Sequence, residues 1–72
     1  MKTKTMLQLA KSLDFTNVYE MIEYFVECYI NGNFTQCRRL FSELTKQGKK
    51  ELITYLLSED QTEQYNFYFK LL

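Results

Sequence analysis

Asn-Val-Tyr-Glu-Met-Ile-Glu-Tyr-Phe-Val-Glu-Cys-Tyr-Ile-Asn-Gly-Asn, residues 17–33, is the stretch on which the fold of this chain turns. Asn17 followed three residues later by Glu20 is a capping-box pair, and Gly32 suits the left-handed position just past a helix end. Between them, from Val18 to Ile30, the only polar side chains besides tyrosine hydroxyls are Glu20, Glu23 and Glu27. At 100° per residue these three fall within about 60° of one another, so they form one narrow stripe. The remaining surface is apolar almost all round, which is the pattern of a helix buried on most sides. In so short a chain it is expected to be the central helix or to lie in an interface.

Working outward, Met6, Leu9, Ala10 and Leu13 repeat at helical spacing, and Thr5 with Gln8 offers a second capping box, with Thr3 an equally good cap. Asp-Phe-Thr-Asn at 14–17 interrupts that pattern. On the other side, Asn33 with Gln36 offers a cap for a third helix, whose apolar face carries Phe34, Cys37, Leu40, Phe41 and Leu44. Gly48 reads as the next break, followed by a helix bearing Leu52, Ile53, Tyr55, Leu56 and Leu57. Asp60 with Glu63 resembles another capping box. The run from Tyr65 to Leu72 fits helical spacing but also alternates as a strand would. A lone strand needs a partner chain, so helix is favoured. The expected architecture is all-α, one domain over residues 1–72, with helices at about 4–14, 17–31, 34–46, 49–58 and 60–71.

Composition narrows the chemistry. The chain has 72 residues, 46% apolar and 25% charged, with two cysteines and no histidine, proline or tryptophan. Without histidine it lacks the usual general base and the commonest metal ligand. Two thiols alone make no tetrahedral zinc set, and the two glycines form no phosphate loop. The carboxylates Glu20, Glu23 and Glu27 are close enough to interact, but as the polar face of their helix they need only water or pairing with Arg38, Arg39 or Lys46. No catalytic, cofactor-binding or metal-binding residue is assigned, and an enzyme is not expected. The N-terminus lacks the long apolar run of a signal peptide, and no stretch reaches the ~20 apolar residues of a membrane span. Cys28 and Cys37 are therefore expected as free buried thiols of a cytoplasmic protein.

Nine cationic and nine anionic residues cancel, but in blocks: +3 over residues 1–11, −4 over 12–37, +4 over 38–50 and −3 over 51–72. The basic block Arg38, Arg39, Lys46, Lys49 and Lys50 offers phosphate contacts, and the two helices around Gly48 have the rough length of a helix-turn-helix. The second of them is too apolar to lie exposed in a groove of DNA, so nucleic-acid binding is the alternative reading. Complementary packing or a symmetric dimer accounts for the blocks more simply.

Gly32-x-Phe34-x-x-Cys37-x-x-x-Phe41-x-x-Leu44 resembles the second half of a tetratricopeptide repeat, over about half of one repeat. Phe25 stands where a small residue belongs, no proline follows and no second copy appears, so what the resemblance implies is a tight αα-hairpin with its crossing set by Cys37. Asn-Gly-Asn with its following Gln/Arg-rich helix, Leu-Phe-Ser-Glu-Leu and then Lys-Lys-Glu-Leu-Ile is similar to short helical proteins of bacterial phages and mobile elements. That likeness implies a small accessory or regulatory protein acting by binding.

Twelve Phe and Tyr residues in so short a chain exceed what one small core readily encloses. The expectation is a protein–protein interaction module that covers a partner surface or pairs with its own copy as a homodimer. Tyr24, Tyr29, Tyr65 and Tyr68 are the candidate anchors, because tyrosine tolerates partial exposure.

Overall fold

The computed structural model describes residues 3–72, and five helices account for most of them: α1 (Met6–Ser12), α2 (Val18–Ile30), α3 (Phe34–Ser42), α4 (Lys46–Ser58) and α5 (Thr62–Phe69). The all-α bundle read from the sequence is the fold. The C-terminal run, ambiguous between helix and strand, is helical.

Three of the four turns share one construction. The helix ends on a residue in the left-handed region, Asp14 (φ 65°), Gly32 (φ 77°) or Asp60 (φ 59°). The next residue then donates its N–H five residues back: Phe15 to Ala10, Asn33 to Cys28 and Gln61 to Leu56, each at 2.9 Å. These are Schellman closures, which satisfy carbonyls that would otherwise be left without partners. They also correct two readings. Asp60 closes α4 and does not cap α5. Asn33, its N–H already committed to Cys28, gives α3 no side-chain cap.

The capping box at α1 is present in full: the Gln8 N–H donates to Thr5 Oγ1 at 3.1 Å, and the Thr5 N–H to Gln8 Oε1 at 2.9 Å. At α2 only half of it forms. Asn17 Oδ1 accepts from the Glu20 N–H, while the Glu20 carboxylate reaches past Asn17 to the Thr16 N–H.

The α3–α4 junction departs most from the expected boundaries. Helix α3 stops at Ser42, and Lys4 forms an isolated parallel bridge with Leu44. The Lys4 N–H donates to the Glu43 carbonyl at 2.7 Å, and the Thr45 N–H to the Lys4 carbonyl at 2.8 Å. The same extended contact explains why α1 starts at Met6 and not near Lys4. Thr45, held there, caps α4 by accepting the Gly48 N–H at 3.0 Å. Gly48 is thus inside the first turn of α4 and not a break. A Cβ at Gly48 would lie 3.3 Å from Thr45 Oγ1 and 3.4 Å from Leu44, so the small residue serves a close approach.

The core gathers Leu9 and Ala10 of α1, Met21 and Phe25 of α2, Cys37 and Phe41 of α3, Leu52 and Leu56 of α4, and Tyr68 of α5, with Leu44 between α3 and α4. Tyr68 sits near its middle, with ring centroids 5.8 Å from Phe25 and 5.0 Å from Phe41. Helix α2 is less enclosed than its composition implies. Met21, Ile22, Phe25 and Cys28 are buried, yet Tyr19 is 63% and Ile30 71% exposed. Among the described residues no helix is long and apolar enough to cross a membrane.

Candidate functional site

The four candidate anchors separate on folding. Tyr68 is wholly buried and so cannot meet a partner; this corrects its assignment as an anchor. Its hydroxyl titrates above the ordinary phenol range, chiefly because burial penalises the phenolate and then because of the neighbouring Cys37 thiol. Tyr24 is half-buried against Phe15 (5.5 Å between centroids), and Tyr65 stacks on Phe69 (5.6 Å, 22° between planes). Tyr29 is half-buried between Phe34 (5.3 Å) and Phe67 (5.2 Å). Its hydroxyl donates to Glu63 Oε1 at 2.8 Å, and that bond to the carboxylate raises its pKa. The three partly exposed tyrosines therefore belong to three separate ring groups and not to one patch.

The basic residues are similarly divided. The Arg38 guanidinium lies 5.9 Å from the centre of the Phe67 ring, and Lys49 Nζ 5.6 Å from that of Phe41, so both take part in packing. Arg39 donates to Gln36 Oε1 at 2.7 Å, while Lys46 and Lys50 are exposed. Helix α4, the recognition helix of the nucleic-acid reading, buries Leu52, Ile53 and Leu56 in the core. Its exposed face mixes Lys50 with Glu51, Thr54 and Leu57.

Glu20, Glu23 and Glu27 do not pair with Arg38, Arg39 or Lys46 as the sequence allowed. Lys4–Glu43, at 3.1 Å, is the one ion pair among the described residues. Cys28 and Cys37 are free and buried, and burial pushes the Cys28 thiol above its ordinary value. Among the described residues no group of three or more Cys, Asp or Glu side chains is placed to hold a metal ion.

The feature that sequence reasoning missed lies between α2 and α4. A groove of about 640 Å³ is lined by Met6, Leu7, Val18, Tyr19, Ile22 and Tyr55, among others, with Glu51 at its side. It continues past Tyr19, Ile22 and Tyr55 into a second hollow over Val26 and Leu56, edged by Glu23, Glu27 and Glu59. The Tyr19 and Tyr55 rings meet across it at 5.8 Å. Tyr55 titrates above the ordinary phenol range, first from partial burial and then from Glu59, Tyr19 and Glu23. The signal that could have found the groove was Leu7, an apolar residue off the inner stripe of α1 and 50% exposed.

Fold and surface together define a class, a five-helix bundle whose outer faces keep uncovered apolar hollows. Comparison of the chain with protein-family models, with curated proteins and with solved structures finds no match.

Proposed function

We propose that this chain is a small, non-enzymatic protein–protein interaction module that self-associates and acts by covering a partner surface. The observation that carries the reading is the set of large apolar side chains left in water: Leu7, Tyr19, Ile30, Phe34, Leu57, Phe69 and Leu72 are all 40–71% exposed. Scattered apolar exposure is ordinary, but two pairs of these share a hollow, Leu7 with Tyr19 and Ile30 with Phe34, and grouped exposure marks interaction surfaces. Ile30 and Phe34 share one hollow with Tyr29 and Glu63. Arg38 stands beside the same ring group, over Phe67. An apolar centre bordered by both a cation and an anion can pair with a second copy of itself about a two-fold axis. A net charge of zero opposes no such pairing.

Light scattering over a concentration series is the test. The expected result is twice the 8.7 kDa monomer mass, with Ile30→Lys/Phe34→Ser returning the chain to monomer while its helical circular dichroism is kept. A wild-type monomer at high micromolar concentration overturns self-association.

The alternative of nucleic-acid binding through Arg38, Arg39, Lys46, Lys49 and Lys50 draws support from one fact: none of the five is ion-paired. It requires binding that falls steeply with salt and disappears in Arg38→Glu/Arg39→Glu.

A further inference from the structure

We propose that the α2–α4 groove is the docking site for an amphipathic helix of a partner protein, one whose apolar stripe is flanked by lysines or arginines. The inference rests on the reading of the chain as an interaction module and names the partner chemistry that one of its surfaces selects.

The apolar part of the argument is the floor. Val18 and Ile22 line the first hollow together with Met6 and Leu7 of α1, and Ile22, Val26 and Leu56 line the second, with the touching Tyr19 and Tyr55 rings as a saddle between them. Two apolar hollows on either side of an aromatic saddle match the stripe of another helix lying over them, which presents anchors at i, i+3, i+4 and i+7 and so can seat one pair in each hollow. Tyr19, the more exposed of the two rings, has the size and amphipathic character of an interface anchor.

The charge of the rim selects among such helices. Glu23 and Glu27 on α2 and Glu51 and Glu59 on the α4 side edge the groove, and none is ion-paired. Neither hollow is lined by a lysine or arginine; Lys50 shares a separate hollow with Glu51 and Tyr55. The backbone adds to the same sign. Helix C-termini carry partial negative charge and favour cations, yet the last turns of α2 and α4 hold no basic residue, and Glu27 and Glu59 stand there instead. Folding alone gains nothing from that placement. A bound helix with cations along both flanks would neutralise the carboxylates and the helix ends together.

The experiment uses the intact, isotope-labelled chain and two synthetic peptides of about 18 residues, five helical turns. Both place Leu at i, i+3, i+4 and i+7; one carries Lys at the remaining positions and the other Glu. The expected result is saturable binding of the Leu/Lys peptide, with amide shifts confined to 5–7, 16–27 and 51–61, and no binding of the Leu/Glu peptide. Glu23→Lys and Glu59→Lys are each expected to weaken binding roughly tenfold, as loss of a close charge contact does. Thr35→Lys/Asn66→Lys, equal in net charge change but at exposed positions outside the groove, leaves it unchanged. Removing an acid from a helix C-terminus does not weaken the fold, so lost binding in Glu59→Lys is not lost structure.

The proposal is overturned if neither peptide binds, if both bind alike, if the shifts map elsewhere, or if Thr35→Lys/Asn66→Lys weakens binding as much as Glu23→Lys. It is overturned as well if the groove signals shift with the protein's own concentration, because the occupant is then a second copy. A chain that dimerises by light scattering yet ignores both peptides keeps the interaction-module reading and loses this one.

Discussion

The hydroxyl of Tyr68 is sealed in the core with no hydrogen-bond partner, while its ring packs on Phe25, Phe41 and Phe67. A sealed, unpaired polar group costs roughly 1–3 kcal/mol, and losing a buried aromatic ring costs roughly 3–5. The two contributions separate by substitution. Tyr68→Phe is expected to raise stability by about 1 kcal/mol, and Tyr68→Ala to lower it by about 3–5 kcal/mol, both read from urea unfolding. The left-handed helix ends give a second contrast. Asp60→Gly removes an unfavourable backbone conformation and is expected to add about 0.5–1 kcal/mol. Gly32→Ala is expected to lose about 1 kcal/mol, and since no atom lies within 4 Å of its would-be Cβ, all of that loss is backbone strain. Gly32 was legible in the sequence because glycine at such a place has one strong reading. Asp14 and Asp60 were not, because aspartate is favoured before a helix as well as tolerated in the left-handed region, and spacing does not separate the two uses.

At the scale of elements, periodicity located all five helices, because each buries a stripe that repeats with the helical turn. It misplaced the α3–α4 boundary, where the deciding interaction comes from elsewhere in the chain: Lys4 bonds to Glu43 and Thr45 across some forty residues. Thr45, once positioned, caps a helix that swallows Gly48, and nothing local announces it. Thr45→Ala is therefore expected to cost about 1 kcal/mol in thermal or urea unfolding, as loss of an N-cap does. Helix α5 comes from a run whose spacing also fits a strand. In the fold it turns Tyr68 fully inward and half-buries Tyr65 and Phe67, leaving Phe69 and Leu72 outside. Removal of residues 65–72 is accordingly expected to unfold the bundle, with loss of the helical circular dichroism, and not to release a folded monomer. The α2–α4 groove was invisible for a related reason. Its facing rings, Tyr19 and Tyr55, are 36 residues apart in sequence, and an acidic stripe on one helix looks like an ordinary solvated face until the second helix brings Glu51 and Glu59 beside it.

For the molecule as a whole, the ionisable groups with resolved shifts all move one way. Cys28, Tyr29, Tyr55 and Tyr68 are each raised above their ordinary values, with burial as the first cause except at Tyr29, where the bond to Glu63 leads. A raised pKa means that the folded chain holds its proton to higher pH than the unfolded chain does. Below the unfolded values, about 8.5 for cysteine and about 10 for tyrosine, both states are protonated and these groups leave stability independent of pH. Above them the unfolded chain sheds protons that the folded chain retains, so stability falls as pH rises. The contribution is fully present at neutral pH and drains away from about pH 9 upward, more steeply past about pH 10. Tyr68 dominates the steeper part, since its hydroxyl is sealed and its shift is the largest, and a group that stays protonated in the fold alone contributes a slope of about 1.4 kcal/mol per pH unit. Urea midpoints measured across the alkaline range should therefore be flat to about pH 8 and then descend. In Tyr68→Phe the group that sets the upper slope is gone, so the descent above about pH 10 should become shallower by about that amount while the onset near pH 9, which belongs to Cys28, remains. An unchanged slope in that variant would mean that Tyr68 ionises in the folded chain, and that the aromatic core opens to water at high pH before it unfolds.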